Sequence, residues 1–423
     1  MRQMKDSGIE WIGEIPESWK VLFAFQCFSQ VKNKNEGLSE TNLLSLSYGK
    51  LKRKSMDTTE GLLPESFESY NIIEAGDIVL RLTDLQNDHT SLRVGLSKER
   101  GIITSAYVTL RNYSKNVPKY LYYYLHSYDI AKGFYGMGAG VRQGLNWEGL
   151  KHLKVLAPMP QEQHLISAYL DRQCTLIDSV IEKTKASIEE YKKLRQAVIT
   201  QAVTKGVRGD RAMKDSGIEW IGEIPEEWEV TRIKNIFSLR DERNSLPLEE
   251  VNLISLYTDK GVLQHSDIEK TTGNKASNAD GYKLVYENDI VVNIILCWMG
   301  AIGRSAYNGV TSPAYDIYVP SDKIECEYYH HYFRTSGFSG DCFKRGRGIM
   351  LMRWRTYSDQ FRDIRVPCPP IEEQREILAY LNKKSSEIDT LITKKEQFLM
   401  ELDSYKKSLI YEYVTGKKEV PQA

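Results

Sequence analysis

Apolar and polar positions alternate at helical spacing over about four heptads in two stretches of this chain. In the first, the apolar or neutral positions are Leu170, Ile177, Val180, Thr184, Tyr191, Leu194 and Val198. Adding 211 to each gives Leu381, Ile388, Leu391, Lys395, Leu402, Tyr405 and Leu409, in the same register. A seam held this long predicts two coiled-coil helices of about 45 residues, roughly 65 Å each at about 1.5 Å per residue. Pro160-Gln161-Glu162-Gln163 and Pro370-Ile371-Glu372-Glu373-Gln374 open them, with proline near the first turn and acids inside it. Gly206 and Gly416 are the expected closing glycines.

The segments before each helix change period. "IIEAGDIVLRL" and "LVYENDIVVNIIL" are rich in β-branched residues behind acidic turns and predict strands. "VPKYLYYYLHSYDI" places Pro118 at the start of an apolar-aromatic helix. Its tyrosines are read as core packing rather than as base-stacking platforms. The fold class expected is α+β, with two mixed α/β domains and two long helices.

The pattern is one module used twice. "MKDSGIEWIGEIPESW" (Met4 to Trp19) returns as "MKDSGIEWIGEIPEEW" (Met213 to Trp228), differing only at Ser18 and Glu227. "NLLSLS" (Asn42 to Ser47) returns as "NLISLY" (Asn252 to Tyr257), and "GDIVL" (Gly76 to Leu80) as "NDIVV" (Asn288 to Val292). "PMPQEQHLISAYL" (Pro158 to Leu170) returns as "PCPPIEEQREILAYL" (Pro367 to Leu381). The opening phrase and the helices persist while the stretch between them diverges. Two copies therefore share a frame and differ in the surface it carries. The expected boundaries are 1–157 and 209–366 for the two variable domains, and 158–208 and 367–423 for the helical segments.

Composition narrows the class. The chain has 423 residues, 41% apolar and 27% charged, with a formal net charge of zero. That is ordinary for a globular protein; neutrality argues weakly against a chain coated in nucleic acid and leaves room for local basic patches. The N-terminus lacks an apolar signal region, and the run Ile290 to Ile302 is too short to span a bilayer, so a cytoplasmic location is expected. The six cysteines (Cys27, Cys174, Cys297, Cys326, Cys342, Cys368) form no C-x-x-C, so neither zinc nor a disulfide framework is expected.

Catalytic motifs are missing: the chain holds no P-loop, no H-E-x-x-H and no G-x-S-x-G. His330-His331 has the wrong spacing for a helical metal face and is read as structural. "FYGMGAG" (Phe134 to Gly140) resembles a methyltransferase cofactor loop, but it follows a polar turn and no Asn-Pro-Pro-Tyr accompanies it. It is read instead as a loop presenting Arg142 and Gln143, with Asn146 following. The matching stretch of the second module carries Lys344, Arg345, Arg347, Arg353 and Arg355, and a further basic run is Lys50-Leu51-Lys52-Arg53-Lys54. Arg and Lys neutralise phosphates, and Arg, Asn and Gln read base edges in the major groove. These clusters are the candidate DNA contacts: Lys50, Lys52, Arg53, Lys54, Arg142, Gln143 and Asn146 in the first module, the five basic residues in the second.

The doubled opening phrase, P-x-P-x-E-Q before a heptad helix, Val-Thr shortly before its closing glycine, and "GVRQGLNWEGLKHL" (Gly140 to Leu153) together resemble the specificity subunit of type I restriction-modification systems. The similarity runs over essentially the whole chain. The second module departs from it, with "MLMRWRTYS" (Met350 to Ser358) in place of the Arg-Gln-Gly-Leu-Asn-Trp phrase. The resemblance implies two target recognition domains, each reading half of a bipartite DNA site, and two helices that pair antiparallel as a spacer. An internal pseudo-two-fold repeat then follows. It also implies a non-catalytic subunit with no cofactor of its own, docking two modification (methyltransferase) subunits and the restriction (translocase-endonuclease) subunits. S-adenosylmethionine, ATP and Mg are expected on those partners. Trp11, Ile15, Trp19 and Trp220, Ile224, Trp228 are expected to anchor each recognition domain by packing. The alternative reading of the residues is a coiled-coil adaptor with two protein-binding domains and no DNA partner.

Overall fold

A computed structural model describes residues 2–56, 66–85, 88, 90–137, 144–267, 278–349 and 354–421. The chain divides into two units, Met1–Thr184 with Glu396–Ala423, and Lys185–Lys395. Each unit holds one module body, part of the first long helix (Pro160–Lys205) and part of the second (Ile371–Val414).

The centre of the first unit is an antiparallel four-stranded sheet in the order Phe28–Gln30, Val108–Asn112, Ile78–Leu80, Val94–Leu96. The inner strand Ile78–Leu80 is buried on both faces, so it reads as a continuous apolar run rather than an alternation. Successive side chains still go to opposite sides. Ile78 and Leu80 enter the main core, while Val79 packs with Leu44, Leu46, Ile73 and Ile103 in a second cluster. The second unit repeats the order as Phe237–Arg240, Tyr315–Pro320, Ile290–Asn293, Ile302–Arg304. Ile290 and Val292 enter its main core and Val291 the smaller one.

The tyrosine-rich helix, Pro118–Ile130, lies in the main core of the first unit, with Tyr120 and Tyr124 fully buried. Tyr120 donates its hydroxyl to the carbonyl of Val414 at 3.0 Å. Its counterpart Tyr328 does the same to Val203 at 2.7 Å in the second unit. These rings are core, as their pattern indicates. The opening phrase is core too: Ile15, Trp19, Ile224 and Trp228 are buried. Trp11 packs against Tyr124, Tyr128 and Tyr411 at 5.9, 5.4 and 6.0 Å between ring centroids. The glutamine of the P-x-P-x-E-Q signature is a tie. Gln163 accepts from the amide of Val117 at 2.8 Å and donates to Pro158 O at 2.8 Å, and Gln374 does likewise to Glu325 and Pro369.

Within each unit the two long helices run antiparallel. Tyr169 meets Tyr413 and Asp178 meets Lys406 in the first. Arg195 meets Asp389 and Arg208 meets Glu376 in the second. Leu170, Ile177, Leu381, Ile388 and Leu409 are buried, and Tyr191, Val198 and Leu402 are half-buried. The seam nevertheless departs from the expected one. Val180, Leu194, Leu391 and Tyr405 are 40, 48, 41 and 56% exposed. The buried or half-buried line passes through Leu170, Cys174, Ile177, Ile181, Thr184, Ile188 and Tyr191. Its copy passes through Leu381, Ser385, Ile388, Ile392, Lys395, Leu399 and Leu402. From Ile177 the seam steps four and then three, not three and then four. Both choices keep a heptad, so apolar spacing alone could not separate them. Gly206 and Gly416 close the helices in the left-handed region, at φ of 76° and 73°.

His330 and His331 lie in the second unit with burial as the main force holding both imidazoles below their usual range, at about 3 and about 4. Neighbouring Arg334 and Arg304 oppose protonation further. His330 Nδ1 accepts the amide of Arg304 at 3.1 Å, which requires the neutral ring. The unfolded chain therefore takes up protons below about pH 6.5 that the fold refuses until about pH 4. Stability is expected to fall as pH drops through that window, on the order of 2 kcal/mol per histidine by pH 5. Denaturant unfolding at pH 7.5 and 5.0 checks this. A His330→Gln/His331→Gln variant with an undiminished pH dependence would assign the loss to other groups.

Candidate DNA-contact surfaces

In the first unit, strands Leu44–Ser47 and Lys50–Arg53 form a hairpin paired Leu44 to Arg53 and Ser47 to Lys50. Alternation sends Leu51 toward Leu44 and Leu46, leaving Lys50 and Lys52 on the other face. Lys50 lies 3.9 Å from Asp178, while Lys52 and Lys54 have no ion pair among the described residues. Arg53 is occupied: its Nε donates to both oxygens of Glu99 at 3.0 and 2.9 Å. Tyr48 stands at the tip, 76% exposed, and it and Gly49 take φ of 47° and 74°. Two left-handed residues in a two-residue loop are the tight turn whose twist suits a hairpin, and a tyrosine there is strained. Sequence reading noted the lysines and missed this ring.

Arg142 and Gln143 fall outside the described residues. Asn146 lies just after them and caps the short helix Trp147–Leu150, accepting the amide of Gly149 at 3.1 Å. Its carbonyl is thus committed to the backbone. The same unit holds a group that the pattern did not reveal. Arg93 is fully buried and lies between two strand-like stretches, with no motif to mark it. Its Nη1 donates to Arg81 O and Thr83 O at 3.0 and 2.9 Å, and its Nη2 to Asp88 O at 2.5 Å. The ring of Tyr135 covers it at 5.2 Å. Asp129 accepts the Arg93 amide at 2.6 Å, and burial raises that carboxyl to about 6. Leu145, next to Asn146, bonds Leu82 O at 2.9 Å. The clamp thereby shapes both segments that border the Arg142 loop.

In the second unit the basic run follows the helix Ser336–Arg345. Arg347 and Arg355 exchange two backbone bonds, 2.8 and 3.0 Å; Arg353 lies outside the described residues. Trp354 stacks on Phe343 at 5.1 Å and donates to Phe343 O at 3.1 Å. Thr356 ties the far end to Cys342 O at 2.9 Å. Arg345 and Arg347 are exposed, and Ile349 is 95% exposed. Lys344 turns back to Glu219 at 2.6 Å, toward the opening phrase. Gly346 has no room for a side chain: a Cβ there would lie 2.2 Å from Trp354 Nε1. Gly346→Ala should displace Trp354 and the Arg347–Arg355 closure, weakening the second half-site at least ~10-fold while partner assembly persists. Binding to duplexes altered in one half-site at a time measures this, and undiminished affinity would remove the loop from the contact surface.

Residues 225–399 match the family model for the type I restriction modification DNA specificity domain. The putative type I restriction enzyme MjaX specificity subunit of Methanocaldococcus jannaschii is 25% identical, over 97% of this chain and 96% of its own length. The MjaVIII specificity subunit of the same organism is 22% identical over 96% and 94%. Two solved structures share the fold. A chain from a study of complex assembly and conformational transition of the type I R-M system has a TM-score of 0.68 at 13% identity, covering 96% of this chain and 99% of that one. The HsdS subunit from Thermoanaerobacter tengcongensis has a TM-score of 0.54 at 14% identity, covering 96% and 98%. A doubled sheet-and-helix body on paired long helices, with basic loops on each copy, is thus the architecture of a DNA specificity protein. Residues 225–399 carry the type I restriction modification DNA specificity domain, the chain is similar over nearly its whole length to type I restriction enzyme specificity subunits, and its function is recognition of DNA sequence.

Proposed function

We propose that each unit reads one half of a bipartite DNA site and that the paired long helices set the unread gap between the halves. The observation that carries this is the duplication itself. The same sheet, tyrosine helix and glutamine tie occur in both units, while the exposed loops differ. A shared frame with unlike surfaces suits two different half-sites.

The exposed apolar residues beside the seam give the frame a second use. Val180 and Tyr405 in the first unit match Leu391 and Leu194 in the second under the 211-residue offset. Equivalent apolar patches at equivalent positions suit two copies of one partner. Two modification subunits fill that role in this reading, and restriction subunits complete the assembly. The chain performs no catalytic step; S-adenosylmethionine, ATP and Mg belong to the partners, in the cytoplasm. Among the described residues no helix is long and apolar enough to cross a membrane.

Sequencing of methylated adenines in cells that carry this chain with its modification subunit tests the proposal. The expected result is a split motif, two short defined blocks around a fixed undefined gap. A continuous motif, or methylation that persists unchanged without this chain, would overturn it.

A further inference from the structure

The same face of the two units is built from opposite chemistry. In the first unit it carries Phe23, Phe25 and His152. The phenyl rings stack at 5.6 Å with 9° between planes and are 40 and 41% exposed. His152 stands edge-on to them at 6.3 and 5.8 Å. In the second unit, the matching positions are Arg232, Lys234 and Asp363; Arg365 keeps the charge of its counterpart Lys154, whose Nζ in the first unit is tied to Gly8 O at 2.8 Å. Arg232 lies directly opposite Arg365 in the two-stranded ladder Glu229–Arg232 with Arg365–Cys368. Like charges opposed across a ladder are destabilising unless something neutralises them. Among the described residues one carboxylate serves the cluster: Asp363 meets Lys234 at 2.8 Å and Arg232 at 3.3 Å. Among the same residues Arg365 makes a single long hydrogen bond, 3.5 Å, to Ser216 O. Around these cations lies an open cavity of about 470 Å³, lined by Val230, Thr231, Arg232, Lys234, Asn235 and Arg365. Lys234 and Arg232 hold the Asp363 carboxyl below its usual range, with a smaller contribution from Arg345.

We propose that this face of the second unit grips the DNA phosphate backbone beside its half-site, and that the first unit, with aromatic rings in the same place, has no such grip there. The reasoning is electrostatic. Excess cations set opposite one another, with polar Thr231 and Asn235 between them, fit an anion that recurs along a backbone rather than a base edge. This inference rests on the DNA-reading function proposed above. It predicts that the salt dependence of binding falls mainly on the second half-site.

The experiment uses the full chain assembled with its modification subunits and a duplex carrying the methylated motif. Dissociation constants are measured across a range of salt concentrations. Arg232→Gln/Lys234→Gln/Arg365→Gln should lower affinity on the order of 100-fold near physiological salt and flatten the log-log salt slope by about 3. The methylated motif should stay the same. Asp363→Asn removes the competing carboxylate and should tighten binding several-fold with a steeper slope, which misfolding would not produce. Phe23→Gln/Phe25→Gln should leave the slope unchanged. An unaltered constant and slope in the triple variant, with the wild-type complex still preferring its motif, would overturn the backbone grip and leave the DNA reading intact. A changed motif would overturn it in favour of base contact. A wild-type complex with no preference for the motif over random duplex would instead bring down the DNA reading itself.

Discussion

A seven-residue insertion in both long helices, after Thr184 and after Lys395, is expected to lengthen the tolerated gap between half-sites by about three base pairs. Seven residues add roughly 10 Å at about 1.5 Å each, and a base pair rises about 3.4 Å. One heptad also returns the seam to the same side, so Ile177 and Thr184 stay buried on one flank, Ile188 on the other. Inserting into one helix only should fail. Both helices run from one unit into the other, with Asp178–Lys406 paired in the first and Arg195–Asp389 in the second, and lengthening one helix alone changes only one of the two connections. Five residues in both helices would turn the seam by about 140° and should abolish methylation. Sequencing of methylated adenines reads all three variants. A gap unchanged by the double heptad insertion would show that the helices do not set the spacing.

Replacement of Arg93 by Met should cost the first unit about 3–5 kcal/mol and blur its half-site while sparing the other. The guanidinium is fully buried and satisfies carbonyls of Arg81, Thr83 and Asp88. Methionine fills much of the volume but leaves those acceptors unpaired in a dry site, the costly half of the hydrogen-bond asymmetry. Arg93→Lys should recover little, because one ammonium cannot reach acceptors arranged for a planar fork. Denaturant unfolding gives the stability, and the methylated motif gives the reading. The expected motif keeps its second block and loses definition in the first. A Met variant as stable as the parent would mean that the clamp is dispensable.

Arg93 also marks where sequence reading stops. The chain between residues 81 and 93 shows no period and no motif, and the Arg93 side chain meets backbone carbonyls of Arg81, Thr83 and Asp88 there. Such a contact leaves no local trace. The second unit solves the matching problem with Arg334, which donates to Thr258 O and Asp259 O at 2.9 Å each. His126 occupies the matching position in the first unit, buried and held neutral at about 4 by desolvation. The job of pinning loops is shared by the copies, but the residue that performs it is not, so aligning them does not find it. Tyr48 and Ile349 escaped notice for a related reason: single exposed apolar residues carry no period.

Apolar spacing by itself determined the two long helices, their common register, the strands buried on both faces and the tyrosine helix. Repetition of the phrase and the helix determined that one module is used twice. These are local or periodic properties, and helix, strand and cap chemistry is decided within a few residues. Tertiary structure decided which of two heptad lines becomes the seam, leaving Val180, Leu194, Leu391 and Tyr405 exposed. It also decided how each cation is matched: Arg53 and Lys344 are tied one to one to Glu99 and Glu219, whereas Arg232 and Lys234 share Asp363 and Arg365 lies opposite Arg232 across a ladder. A charge is available or neutralised according to the partner that folding brings beside it, and that partner is usually distant in the chain.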